Sequence, residues 1–254
     1  MVPISIYIEH NFQSNLKKKF MNDQLTVIYR CCELETGARI KRPCRPSWFS
    51  KEMCLFNLLD TFKDFKIIAV HDGPSDKLDS ILKIQNNVEI VKIEHQSNLA
   101  SLQTCLNIAK DVKTENIYFV EDDYLHRTNA ADVLLSGLSL NPLVTLYDHE
   151  DRYTRTDDAN YGQIHVFRDK YTHWRTTEST TCTWACTKDM YKKIHDRAYS
   201  FGLQDRGFWI SLYNEGHDLI SPMPGYSTHC HEPFLSPFIN WETINDTTRF
   251  VQNT

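Results

Sequence analysis

Four short runs rich in β-branched and aromatic residues, separated by segments of helical periodicity, most constrain how this chain can fold. They are residues 25–30 (LTVIYR), 67–70 (IIAV), 88–93 (VEIVKI) and 117–120 (IYFV). Runs of this kind read as buried strands. Met53, Phe56, Leu59 and Phe62 recur at helical spacing within residues 50–62, and Leu99, Leu102, Leu106 and Ala109 form one face of a second helix. Strands and helices alternating at this spacing predict an α/β fold, a mostly parallel central sheet with helices on both faces. Beyond residue 140 the pattern loosens. Residues 143–147 and 164–167 read as strands, and residues 188–199 and 207–214 as helices.

Composition narrows the class without choosing a function. The 254 residues are 41% hydrophobic and 24% charged, enough apolar material for a sizeable core. No stretch approaches the roughly 20 apolar residues of a membrane helix. Residues 1–23 are polar and contain lysine, and no signal peptide is evident in them, so a cytoplasmic protein is expected. The eight cysteines, Cys31, Cys32, Cys44, Cys54, Cys105, Cys182, Cys186 and Cys230, include several within predicted elements and are expected mostly as reduced, buried thiols. Cys182 and Cys186 have CxxxC spacing but no second pair to close a zinc site. A net charge of −5 argues against a protein that coats nucleic acid and leaves room for a local basic groove. No internal repeat is present, and the whole of 1–254 is read as one domain.

Ligands of open α/β sheets bind beyond the carboxyl ends of the strands, where this sequence concentrates its polar residues. Arg30 ends the first run, Asp72 and Gly73 follow the second, residues 95–98 follow the third, and Glu121, Asp122 and Asp123 end the fourth. Three adjacent acids repel one another and call for a counter-charge. A divalent cation on carboxylate oxygens answers that need and leaves positions open for phosphate. A solvated acidic turn is the plain alternative.

These motifs together resemble the single-domain GT-A glycosyltransferases of the family-2-like group, Rossmann-type α/β sandwiches with a DXD-type metal motif. Residues 67–76 (IIAVHDGPSD) are similar to the strand and turn that hold the nucleoside there, with His71 in place of the more usual acid. Residues 98–109 are similar to an Asn-x-Gly helix start, with Ala100 in place of glycine, and residues 117–124 to the strand carrying the metal motif in Glu-Asp-Asp form. The resemblance implies a nucleotide-sugar-binding half over about 25–127 and an acceptor-binding half over about 128–254. It implies Mn²⁺ or Mg²⁺ on Asp123, with Asp122 as helper. Glu121, Asp72, Arg30 and Asn98 would lie around the nucleotide. The donor is then a UDP- or GDP-sugar, and the acceptor a glycan or glycoprotein, with a modified DNA base as the alternative. A nucleotidyltransferase or a non-catalytic carbohydrate- or nucleotide-binding module are the rival readings. The first usually shows a glycine-rich basic loop after the first strand, which residues 30–37 (RCCELETG) do not supply.

The second half adds candidates. Residues 180–194 resemble the strand and helix after the acceptor site, and residues 203–213 resemble the segment bearing the general base of inverting enzymes. Gln204 replaces the first acid there, which leaves Asp205 as catalytic candidate, with a helix N-cap as its other role. His229 and His231 are candidates to complete the metal shell, or else buried, hydrogen-bonded histidines. Residues 147–153 (YDHEDRY) read as an acceptor-pocket wall or a solvated loop, and Trp174 and Trp184 as sugar-stacking or core residues. Lys41, Arg42 and Arg45 read as solvated charge or as a patch that steers a diphosphate.

Overall fold

The computed structural model describes residues 23–32, 45–74, 77–154, 164–181 and 183–252, the last six as backbone alone. The polar stretch 1–22, Lys41, Arg42, Cys44 and Cys182 lie outside the described residues.

Strands β1 (Leu25–Cys31), β2 (Lys66–Asp72), β3 (Val88–Ile93) and β4 (Asn116–Glu121) pair in parallel, in the order β3-β2-β1-β4. Period-two alternation splits their side chains between two layers. Leu25, Val27, Tyr29 and Tyr118 face helices α1 (Lys51–Thr61) and α2 (Lys77–Lys83), whereas Ile28, Ile68 and Phe119 face α3 (Asn98–Asp111). Two of these helices open as their sequences suggest. The Ser50 hydroxyl accepts from the Met53 N–H, and Ser97 accepts from the Ala100 N–H.

Past β4 come β5 (Tyr124–His126), α4 (Ala130–Leu140), β6 (Leu143–Val144), α5 (Asp151–Thr154), β7 (Val166–Arg168), β8 (His173–Thr177) and β9 (Trp184–Thr187). Then follow α6 (Lys188–Phe201), α7 (Asp205–Tyr213), β10 (Leu219–Met223), β11 (Ser227–His229) and α8 (Trp241–Gln252). The sheet continues from β4 as β9-β6-β10-β8-β7, with β9 antiparallel to β4. This outer part mixes directions, so the parallel expectation describes β1 to β4. The strand expected over 143–147 stops at Val144. Thr145 Oγ1 accepts the Tyr147 N–H at 3.1 Å, which draws the backbone out of the ladder. Trp174 is fully buried and Trp184 nearly so, both as core residues. Five of the six described cysteines are buried.

One core histidine has a measurable consequence. His126 is 1% exposed, lies edge-on to Phe62, and shares a 2.9 Å hydrogen bond between Nε2 and the Tyr118 hydroxyl. Burial pushes its pKa down to about 3. An unfolded histidine titrates near 6.5, so below that pH the unfolded chain binds the extra proton. The stability from His126 is therefore complete above about pH 6.5 and lost as pH falls towards 3, at up to about 1.4 kcal/mol per pH unit. Urea unfolding of the parent and His126→Gln between pH 7 and 4 should show a shallower slope in the variant. Equal slopes would assign the pH dependence to other groups.

Candidate functional site

The carboxyl ends of β1 and β4 lie in register, with Arg30 opposite Glu121. Parallel pairing thus forces an arginine and a glutamate from distant sequence positions together, and they form an ion pair. The same guanidinium donates to Asn98 Oδ1 at 2.9 Å and to Ser101 Oγ at 3.2 Å, tying the start of α3 to the pair. Asp72, at the end of β2, accepts the Gln96 and Ser97 N–H groups at 2.8 and 3.2 Å. Its carboxylate thereby shapes the turn into α3. His71 is fully buried and bonded to Asp79 at 2.7 Å, beneath the strand-end row.

The other two acids take different partners. Asp122 accepts the Cys32 N–H at 2.9 Å and pairs with Lys51 at 3.1 Å. Burial raises its pKa, Lys51 opposes this, and Asp123 adds to the rise. Asp122 thus ties together the ends of β1 and β4 and the first turn of α1. Asp123 is 6% exposed. Its Oδ2 receives the Arg45 guanidinium at 2.9 Å and faces His229 Nε2 at 3.0 Å and His231 Nε2 at 3.8 Å. Burial acts to raise this carboxyl, but His229 and Arg45 outweigh it and hold the pKa well below the usual carboxylate range.

A small second sheet brings the histidines here. β11 pairs antiparallel with β5, placing His229 opposite Tyr124, and the Cys230 N–H donates to the Asp123 carbonyl at 2.8 Å. The His229 ring lies nearly parallel to Tyr124 (5.1 Å between centroids, 5° between planes) and to Phe234 (5.9 Å, 9°). These two aromatic neighbours fix the plane of the imidazole.

Asp123, His229 and His231 offer three ligand atoms within 4.8 Å of one another. Asp123 Oδ1 is buried with no hydrogen-bond partner among the described residues, an orphaned acceptor of the kind a cation satisfies. One carboxylate and two imidazoles suit Mn²⁺ or another first-row divalent ion, so the residues present fit such an ion. The three acids do not, however, need a metal to offset their repulsion. Glu121 has Arg30, Asp122 has Lys51 and Asp123 has Arg45, so the protein supplies a cation to each acid. Arg45 is accordingly an ion-pair partner with a side chain 19% exposed, and no longer a solvated loop residue. Lys51 escaped the sequence reading altogether. A need for cations to balance three acids at one strand end was readable, but which of the 28 lysines and arginines supply them was not.

Asp205 is the first residue of α7. The N-cap position, given to Asp205 as its other role, falls on Gln204, which makes no side-chain capping bond. Asp205 is half-buried and lines a cavity with Arg30, Glu121, Leu102, Trp184 and Phe208. Asp148 is fully buried, pairs with Arg175 at 2.5 Å and accepts from the Tyr153 hydroxyl at 2.6 Å. His149 and Asp151 pair at 2.7 Å, and His149 lies against Phe234. Residues 147–153 therefore adjoin the stacked histidine.

No protein-family model matches the chain, and no curated protein does. Solved structures match at the level of fold. GalNAc-T7, in a structure with UDP, GalNAc and Mn²⁺, aligns with 84% of this chain and 45% of its own, at TM-score 0.52 and 12% identity. The 4-diphosphocytidyl-2C-methyl-D-erythritol synthase of Anaerococcus prevotii aligns with 91% of this chain and 99% of its own, at TM-score 0.50 and 14% identity. The chain thus spans less than half of the first neighbour and nearly all of the second. Their shared architecture is the GT-A-like, Rossmann-type α/β fold, and this chain has it. No helix among the described residues is long and apolar enough to cross a membrane.

Proposed function

We propose that this protein is a metal-dependent glycosyltransferase that moves a sugar from a nucleotide-diphosphate donor, UDP- or GDP-linked, to a glycan or glycoprotein. The observation that carries the reading is the meeting of Asp123, His229 and His231 beside the Arg30–Glu121 pair, beyond the carboxyl ends of β1 and β4. Ligand sites of open α/β sheets lie there. Asp123, His229 and His231 would hold Mn²⁺ or Mg²⁺, which when bound neutralises charge on the departing diphosphate. Arg30, Glu121 and Asn98 form one hydrogen-bonded group that would hold the nucleoside, with Asp72 fixing the turn beneath it. Residues 121–123 then act as a DXD-type motif in Glu-Asp-Asp form, as in the family-2-like group. Asp205 would take the proton of the acceptor hydroxyl, which implies inversion at the anomeric carbon. Residues 25–127 serve the donor and residues 128–254 the acceptor, with His149, Tyr153 and Phe234 as candidate acceptor contacts. A modified DNA base is the less favoured acceptor for a chain of net charge −5.

A second reading, nucleotidyltransferase, is favoured by one observation: the synthase neighbour matches over nearly its entire length. One experiment separates the two. The protein is incubated with UDP- and GDP-sugars, and separately with each nucleoside triphosphate plus sugar 1-phosphates, with and without Mn²⁺. Metal-dependent release of UDP or GDP is expected. Release of pyrophosphate from a triphosphate, with no donor hydrolysis, would replace the proposal by the second reading.

A further inference from the structure

We propose that Arg45 is an internal competitor of the divalent ion, its guanidinium and the metal occupying Asp123 in turn. The inference rests on the metal reading above and adds a role for a residue outside the ligand set. The guanidinium is seated by three separate contacts. It donates to Asp123 Oδ2 at 2.9 Å and to the Cys230 carbonyl at 3.0 Å, and it lies 4.4 Å from the centre of the Phe49 ring. Oδ2 is also the oxygen nearest both imidazoles, 3.0 Å from His229 Nε2 and 3.8 Å from His231 Nε2. A metal ion bound to oxygen and nitrogen ligands sits about 2.0–2.2 Å from each. An ion at that distance from Oδ2 and the two imidazoles would share its oxygen with a like-charged guanidinium. Entry of the ion therefore breaks the Arg45–Asp123 pair, and departure of the ion restores it. Arg45 keeps the buried carboxylate neutralised whenever the divalent ion is away, a buried charge being costly without a partner. The contrary arrangement is definite. Starting from the unpartnered oxygen, the ion would use Asp123 Oδ1 alone, and Arg45 would stay on Oδ2 as an outer partner that strengthens the site, as outer partners of metal ligands do.

The two arrangements predict opposite signs. Mn²⁺ is titrated into the parent, Arg45→Gln and Arg45→Lys and followed by electron paramagnetic resonance, with thermal unfolding run alongside. Competition predicts that Arg45→Gln binds Mn²⁺ at least tenfold more tightly than the parent and that Arg45→Lys falls between them. Equal or weaker binding by Arg45→Gln overturns the proposal while leaving the metal reading in place. Folded parent and variant that both fail to bind Mn²⁺ overturn the two together. Should Arg45→Gln not fold, Phe49→Leu removes the ring beneath the guanidinium, and its Mn²⁺ affinity decides by the same signs.

Discussion

Asp123→Asn is expected to weaken Mn²⁺ binding by at least about a hundredfold and to remove metal-supported transfer. Outer partners of metal ligands typically cost about 10–100-fold in affinity or activity when mutated, and a direct, charged ligand should cost more. Asp123 Oδ2 faces two imidazoles and a guanidinium, and an amide offers one oxygen and no charge to that group. Breaking a buried pair also costs about 3–5 kcal/mol of stability, so unfolding must be measured beside activity. Glu121→Gln should lose less activity, since Glu121 is committed to Arg30. Asp122→Asn should act mainly through stability, because Asp122 ties Cys32 and Lys51. Chelation by EDTA should abolish transfer in the parent, and added Mn²⁺ should restore it. Full activity after exhaustive chelation, or equal activity losses for Asp123→Asn and Glu121→Gln, would remove Asp123 from the ligand role.

Much of the parallel half was legible because its signals are local. The run VEIVKI is β3 end for end, and the other three strands extend their predicted runs by one to three residues. The row of strand-end residues follows from topology alone, since parallel strands put every carboxyl end on one edge. Periodicity was silent on β5 and β11, because three residues are too few to show a period, yet this pair carries His229 to Asp123 across 106 positions. Helix α4 was missed although its sequence AADVLLSGLSL carries a helical face, Ala130, Val133, Leu134, Gly137 and Leu138, which the structure buries. The counter-ions lay hidden because ion pairs have no local signature. Arg45 and Lys51 meet Asp123 and Asp122 from more than 70 positions away, and nothing around them in the chain marks them out from other surface cations.

Asp205→Asn carries the second large effect, an expected fall in transfer of at least a hundredfold with donor binding retained. General-base catalysis contributes typically 10²–10⁴-fold. The carboxylate is in the first turn of α7 and lines the cavity that Arg30 and Glu121 also line, which brings it to the edge of the proposed nucleotide site. The competing explanation is a charge stabilising the helix macrodipole, worth about 0.3–1 kcal/mol. That role moves the unfolding midpoint slightly and leaves chemistry alone. Comparing transfer, donor affinity and thermal unfolding of Asp205→Asn with the parent therefore separates the two without depending on a single readout. A large loss of transfer at nearly unchanged stability and donor affinity assigns the base. Transfer within a few-fold of the parent would leave Asp205 as a helix charge only. Asp148 could not then take its place, because it is fully buried and held by Arg175 and Tyr153. Asp151 would be tested next, being half-buried and paired with His149 beside the aromatic stack on His229.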